Sequence, residues 1–164
     1  MHKTTLVGWY FFTNFENMPT PSKVCFFFEA KGFTLENRSA LKAQIEALFR
    51  KEGKKLESLN YIFCSDKRLL EINRQYLQHD YYTDIITFDL RDELSKEAEL
   101  YISIDRVSDN AAQLEVNPET EMYRVLIHGL LHLAGFQDKS ETDEAEMRSQ
   151  ENHYLAKLFH VKQF

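Results

Sequence analysis

His128 and His132, four residues apart and followed by Gly135 and Asp138, are a set of side chains able to hold one metal ion. Positions i and i+4 of a helix lie above one another on the same face, so both imidazoles can point at one ion. Gly135 lets the chain leave the helix through a left-handed backbone, and the turn that follows brings Asp138 back as a third ligand. Three protein ligands leave a fourth position open, as catalytic rather than structural zinc sites do. The competing reading makes His128 and His132 ordinary hydrogen-bonded residues among Val125, Leu126, Leu130, Leu131 and Leu133, and it requires a buried partner for each imidazole.

The spacing matches the HExxHxxGxxH signature of zinc metalloproteases, with one difference of consequence. The glutamate that serves those enzymes as general base is replaced here by Gly129. A peptidase working by that route lacks its base, and what remains is a Lewis-acid site suited to a phosphoryl oxygen. RNA cleavage is compatible with such a site because the ribose 2′-hydroxyl already lies beside the scissile phosphate.

The elements that must position these residues are legible in the hydrophobic periodicity. A strand is predicted over Ser22–Ala30, a helix from about Leu35 to Lys51 with Gly53 as its stop, and a strand over Leu59–Cys64. Asp66 is expected to cap a helix reaching about Tyr76, and a polar turn then enters a strand from Asp84 to Leu90. A charged connector, Arg91 to Glu97, leads to a strand in LYISIDRV, for which antiparallel pairing across the connector is the expected choice. A short helix, Ser108–Leu114, precedes a long one that begins at Pro118 and carries both histidines; the last helix runs from about Glu141 to Phe159. These elements predict one α+β domain over residues 21–164, a mixed sheet of about four strands with helices packed on it, and a poorly ordered extension over residues 1–20.

The 164 residues suit a single core, and no apolar run is long enough to span a bilayer. A cytoplasmic protein is therefore expected. Cys25 and Cys64 have no CxxC partner and are expected to be buried free thiols. The net charge of -6 argues against general attraction to nucleic acid. A local basic cluster remains, Arg50, Lys51, Lys54 and Lys55 with Arg38 and Lys42 on the same helix and Lys31 before it. It either complements the helix dipole or, through Arg50 and Lys51, binds substrate.

His128 to Asp138 resembles the HGxLHLxGYDH signature of the YbeY family, bacterial single-strand-specific metallo-endoribonucleases of ribosomal RNA maturation and ribosome quality control. A second family block, NxxYRGxxxxTDVLSF, is similar to the stretch containing Asn73, Tyr76, Thr83, Asp84, Ile85, Ile86, Thr87 and Phe88. The resemblance implies a zincin-like α+β fold and one zinc ion per chain on His128, His132 and Asp138, with another divalent transition metal as the alternative. It also implies ribosomal RNA and the small ribosomal subunit as partners. Three positions depart from the family. Asp138 stands where the signature has histidine, and a carboxylate is an ordinary zinc ligand. Leu77 stands where the family has an arginine that steadies developing charge, a role that Arg74 or His79 would have to take over. Ala98 and Glu99 replace a Gly-Asp pair. The leading expectation is a zinc-dependent endoribonuclease acting in small-subunit rRNA end processing, against a zinc metallopeptidase or a non-catalytic ribosome-associated factor with a structural metal.

Overall fold

The computed structural model describes residues 23–91 and 97–158. The extension expected over residues 1–20 lies outside the described residues. Four strands form one mixed sheet in the order β1-β2-β4-β3. β1 (Val24–Phe28), β2 (Ser58–Cys64) and β4 (Glu97–Ser103) are parallel neighbours, while β3 (Ile85–Asp89) runs antiparallel to β4 at the edge, as the connector suggested.

Side-chain alternation along these strands creates two unequal faces. Val24, Leu59, Tyr61, Phe63, Leu100 and Ile102 are fully buried in the main core, which they share with α1 (Arg38–Lys51), α4 (Pro118–Ala134) and α5 (Glu141–Leu158). Leu41, Ile45, Leu48 and Phe49 supply the face of α1, and Met147, Tyr154 and Leu155 that of α5. On the other side Cys64 and Ile86 lie under Leu69 and Ile72 of α2 (Asp66–Ile72). Both cysteines are free, but only Cys64 is buried. Cys25 is half-buried because it lies on an edge strand and points away from Val24 and the main core.

Several boundaries differ from the sequence expectation, each for a local reason. α1 begins at Arg38 rather than Leu35 because Asn37 is left-handed, with φ 50°. Ser65, not Asp66, caps α2 by accepting the Arg68 N–H at 3.2 Å. Asp66 instead binds Arg106 at 2.5 Å and the Ser103 hydroxyl at 3.0 Å. The helix expected to continue to Tyr76 widens into a π turn over Asn73–Leu77. β4 stops at Ser103, whose hydroxyl caps α3 (Ile104–Gln113) through the Arg106 N–H, so Asp105, Arg106 and Val107 are helical rather than extended.

α4 is bounded by strong local signals at both ends. Asn117 accepts the Glu119 N–H at 2.8 Å, and Pro118 occupies the first turn, where no N–H is needed. Gly135, with φ 108°, closes the helix: its N–H bonds to the His132 carbonyl at 3.0 Å and the Phe136 N–H to the Leu131 carbonyl at 3.0 Å. This paired closure at a left-handed glycine is a Schellman motif. In mid-helix Gly129 faces the sheet at close range. A Cβ there would clash with Leu100 and lie 2.6 Å from Ile85 Cδ1 and 3.2 Å from Thr87 Oγ1.

One buried charge near the start of α4 makes a stability prediction. Glu121 is buried, and its Oε2 has no hydrogen-bond partner, although Arg124 Nε lies 3.6 Å away. Burial pushes its carboxyl above the usual range, against the opposing charge of Arg124. The folded state thus holds this proton more tightly than the unfolded chain does, and stability is lost as pH rises from the unfolded carboxyl pKa through the raised folded one. Glu121→Gln is expected to be more stable than the parent at pH 7, by about 1 kcal/mol. The difference should shrink as pH falls toward the ordinary carboxyl range, as urea unfolding at two pH values would show.

Candidate metal centre

The helical spacing does what the sequence suggested. His128 and His132 lie one turn apart on α4 with ring centroids 4.5 Å apart and planes at 89°. The Gly135 turn then carries Asp138 back against them. His128 Nε2 and His132 Nε2 are 3.0 Å apart, and Asp138 Oδ2 is 3.6 Å from the first and 3.3 Å from the second. Ligands about 2.0–2.1 Å from a tetrahedral zinc are separated from each other by about 3.3 Å. The triangle of donor atoms therefore fits one face of such a shell. Among the described residues, these three side chains form the group able to hold an ion.

The buried partners required by the competing reading are also present, and they strengthen the metal reading. Glu151 Oε1 lies 2.9 Å from His128 Nδ1, and the Phe136 carbonyl 3.1 Å from His132 Nδ1. Both acceptors need the proton on Nδ1, so in the neutral rings both Nε2 lone pairs point inward. Glu151 stays ionised: burial opposes this, but the hydrogen bond from His128 and the charge of Arg148 hold its carboxyl below the usual range. Its Oε2 takes Arg148 at 3.0 Å and Arg124 at 3.2 Å. Burial alone would push the His128 imidazole down, yet Glu151 outweighs it and raises its pKa.

Glu151 was missed in the sequence reading. The signal was a carboxylate in the buried stripe Met147, Glu151, Tyr154 and Leu155 of α5, where an apolar residue would be expected. Glu151→Gln preserves the shape and removes the charge. It is expected to weaken metal binding by about tenfold to a hundredfold with the fold retained, as competition against a chelating dye would measure.

The centre opens into a cleft of about 620 Å³ between α4, β3 and the loop before β3. His79 lines it, and so does Leu77. Arg74, the other candidate for the family arginine's role, is bound to Asp80 at 2.6 Å and is not among the lining residues. Arg50 and Lys51 are not there either. They end α1, where Lys51 Nζ donates to His153 Nε2 at 2.7 Å and lies 4.7 Å from the Tyr154 ring centroid, beside the hydrogen bond from Tyr154 to Glu52. No helix among the described residues is long and apolar enough to cross a membrane.

With this geometry established, comparison with known proteins is decisive. A curated relative from Cytophaga hutchinsonii named endoribonuclease YbeY is 44% identical over 134 residues, covering 81% of this chain and 94% of the relative. One of the same name from Flavobacterium psychrophilum is 51% identical over 121 residues, covering 73% and 84%. The solution structure of a Thermotoga maritima protein superposes with a TM-score of 0.60 at 28% identity, covering 84% of this chain and 89% of that one. Since the profile described as endoribonuclease YbeY matches residues 29–159, the chain belongs to the YbeY family.

Proposed function

We propose that this YbeY-family chain is a zinc-dependent endoribonuclease that cuts single-stranded ribosomal RNA in small-subunit maturation and ribosome quality control, acting in the cytoplasm. The observation that carries the metal-dependent reading is the meeting of two Nε2 lone pairs 3.0 Å apart beside an Asp138 oxygen. Each imidazole is committed through Nδ1 to an oxygen acceptor, so the neutral rings turn both Nε2 lone pairs toward the Asp138 carboxylate, an arrangement that a bound cation stabilises. When bound, the ion supplies a Lewis acid for the scissile phosphate. His128, His132 and Asp138 would hold it, while Glu151 and the Phe136 carbonyl fix the tautomers. The mixed nitrogen and oxygen donor set suits zinc and also admits other divalent transition metals.

The peptidase alternative loses its support at Gly129, which faces Leu100 and Ile85 in the sheet. A glutamate at that position on this backbone would enter the core. A structural-metal factor would need a fourth protein ligand, and among the described residues three converge. The test is cleavage of a single-stranded small-subunit rRNA fragment by metal-loaded protein, with a duplex of the same sequence alongside. Cutting confined to the single strand and abolished by a chelator is expected; a metal-loaded protein that leaves the RNA intact would refute the proposal.

A further inference from the structure

Among the described residues lining the metal cleft, none is a lysine or an arginine, and three are aspartates: Asp84, Asp89 and Asp138. Asp89 is kept ionised by its hydrogen bonds from Arg91. Asp89 is paired with Arg91 at 2.6 Å, and the same guanidinium donates to the Leu133 carbonyl, so the described lining itself presents no unengaged cation to a phosphate. With few cations at the lining, contacts to the bases are a source of affinity for an RNA strand held there.

The same wall offers aromatic surface. His79 and Tyr81 both line the cleft and stack on one another, with centroids 5.1 Å apart, planes at 21°, and Tyr81 Oη 3.1 Å from His79 Nδ1. Tyr81 is 58% exposed. Neighbouring tyrosines are engaged differently: Tyr76 packs edge-on against Phe88, and the Tyr82 ring is covered by Arg106. The stacked pair is also held in place from below. Gln78, left-handed with φ 58°, turns the chain so that the His79 N–H reaches the Asn73 carbonyl at 3.3 Å, and the buried Asn73 side-chain amide donates to the Tyr81 carbonyl at 2.9 Å. A platform fixed before binding loses little conformational entropy when a ligand adds to it.

We propose that the His79–Tyr81 stack is a nucleobase subsite, onto which an unpaired base flanking the scissile phosphate stacks. His79 then serves through its ring face rather than as a substitute for the cation that Leu77 replaces. A base in a duplex has its faces covered by its own neighbours, so the subsite selects single strands by denying duplexes a contact. This rests on the endoribonuclease reading.

The test uses metal-loaded protein and a short single-stranded oligoribonucleotide with 2-aminopurine placed at each position in turn. Stopped-flow fluorescence separates binding from the cut. Quenching at one position is expected, lost in Tyr81→Ala together with about tenfold in affinity and retained in Tyr81→Phe. An abasic ribose at that position should weaken the parent equally and Tyr81→Ala no further. KM should rise while kcat changes little. Unchanged binding by Tyr81→Ala, or an abasic ribose that weakens both proteins alike, overturns the subsite but not the enzyme. A parent protein that cuts none of these RNAs overturns the endoribonuclease reading instead.

Discussion

Asp138→Ala is expected to leave the fold intact and remove both metal and activity. Its side chain is 41% exposed and lies beyond the end of α4, so truncation opens no cavity. The loss falls on the ion. Zinc sites with four protein ligands bind with about 10–16 kcal/mol, or roughly 3 kcal/mol per ligand, which corresponds to more than a hundredfold in affinity for each ligand removed. Metal content after dialysis should fall from one equivalent per chain to a trace, and RNA cleavage should fall with it, while the metal-free melting temperatures of variant and parent coincide. Asp138→His, which installs the residue of the family signature, should keep the metal. An Asp138→Ala protein that retained its ion and its activity would remove Asp138 from the site.

The second large effect is expected at Gly129. Restoring the glutamate of the protease signature there should unfold the protein rather than create a peptidase. Even the Cβ of an alanine would clash with Leu100 and lie 2.6 Å from Ile85 Cδ1. Replacing a mid-helix glycine by alanine ordinarily gains about 1 kcal/mol, whereas forcing extra atoms into a packed core costs about 1–3 kcal/mol or more. Gly129→Ala should therefore be net destabilising despite its better helix propensity. Gly129→Glu adds a buried, unpaired carboxylate and should give no folded protein at 37 °C. Thermal unfolding of the alanine variant and soluble yield of the glutamate variant check both; a folded Gly129→Glu protein that cuts peptides would revive the peptidase reading.

The parts of the site legible in the sequence were those written in one contiguous segment. The helix period placed His128 and His132 together, and Gly135 announced the turn that delivers Asp138. The role of Gly129 was half legible: the missing base could be read from a signature, but the pressure of the sheet on that face could not. Glu151 lies on another helix, and its meeting with His128 depends on how α5 packs against α4. Arg74 and His79, close in sequence, could not be separated in advance. Only the π turn and the left-handed Gln78 show that one is tied to Asp80 while the other enters the cleft. Boundary errors had a more local origin. Ser103 at the end of β4 and Ser65 just after β2 each cap the following helix by accepting the N–H three residues on.

The division of labour between the Gly135 segment and α5 also bears on how such a centre can evolve. The three residues able to hold the ion lie within one short stretch of chain, whereas the group that polarises His128 comes from a separate helix. The main support for His128 basicity is thus encoded apart from the ligand segment, with the Asp138 charge adding to it. The exchange of histidine for aspartate at position 138, relative to the family signature, alters the charge offered to the ion without disturbing the carboxylate behind His128. One substitution in an exposed turn can thus retune metal preference while the buried Glu151 stays in place behind His128.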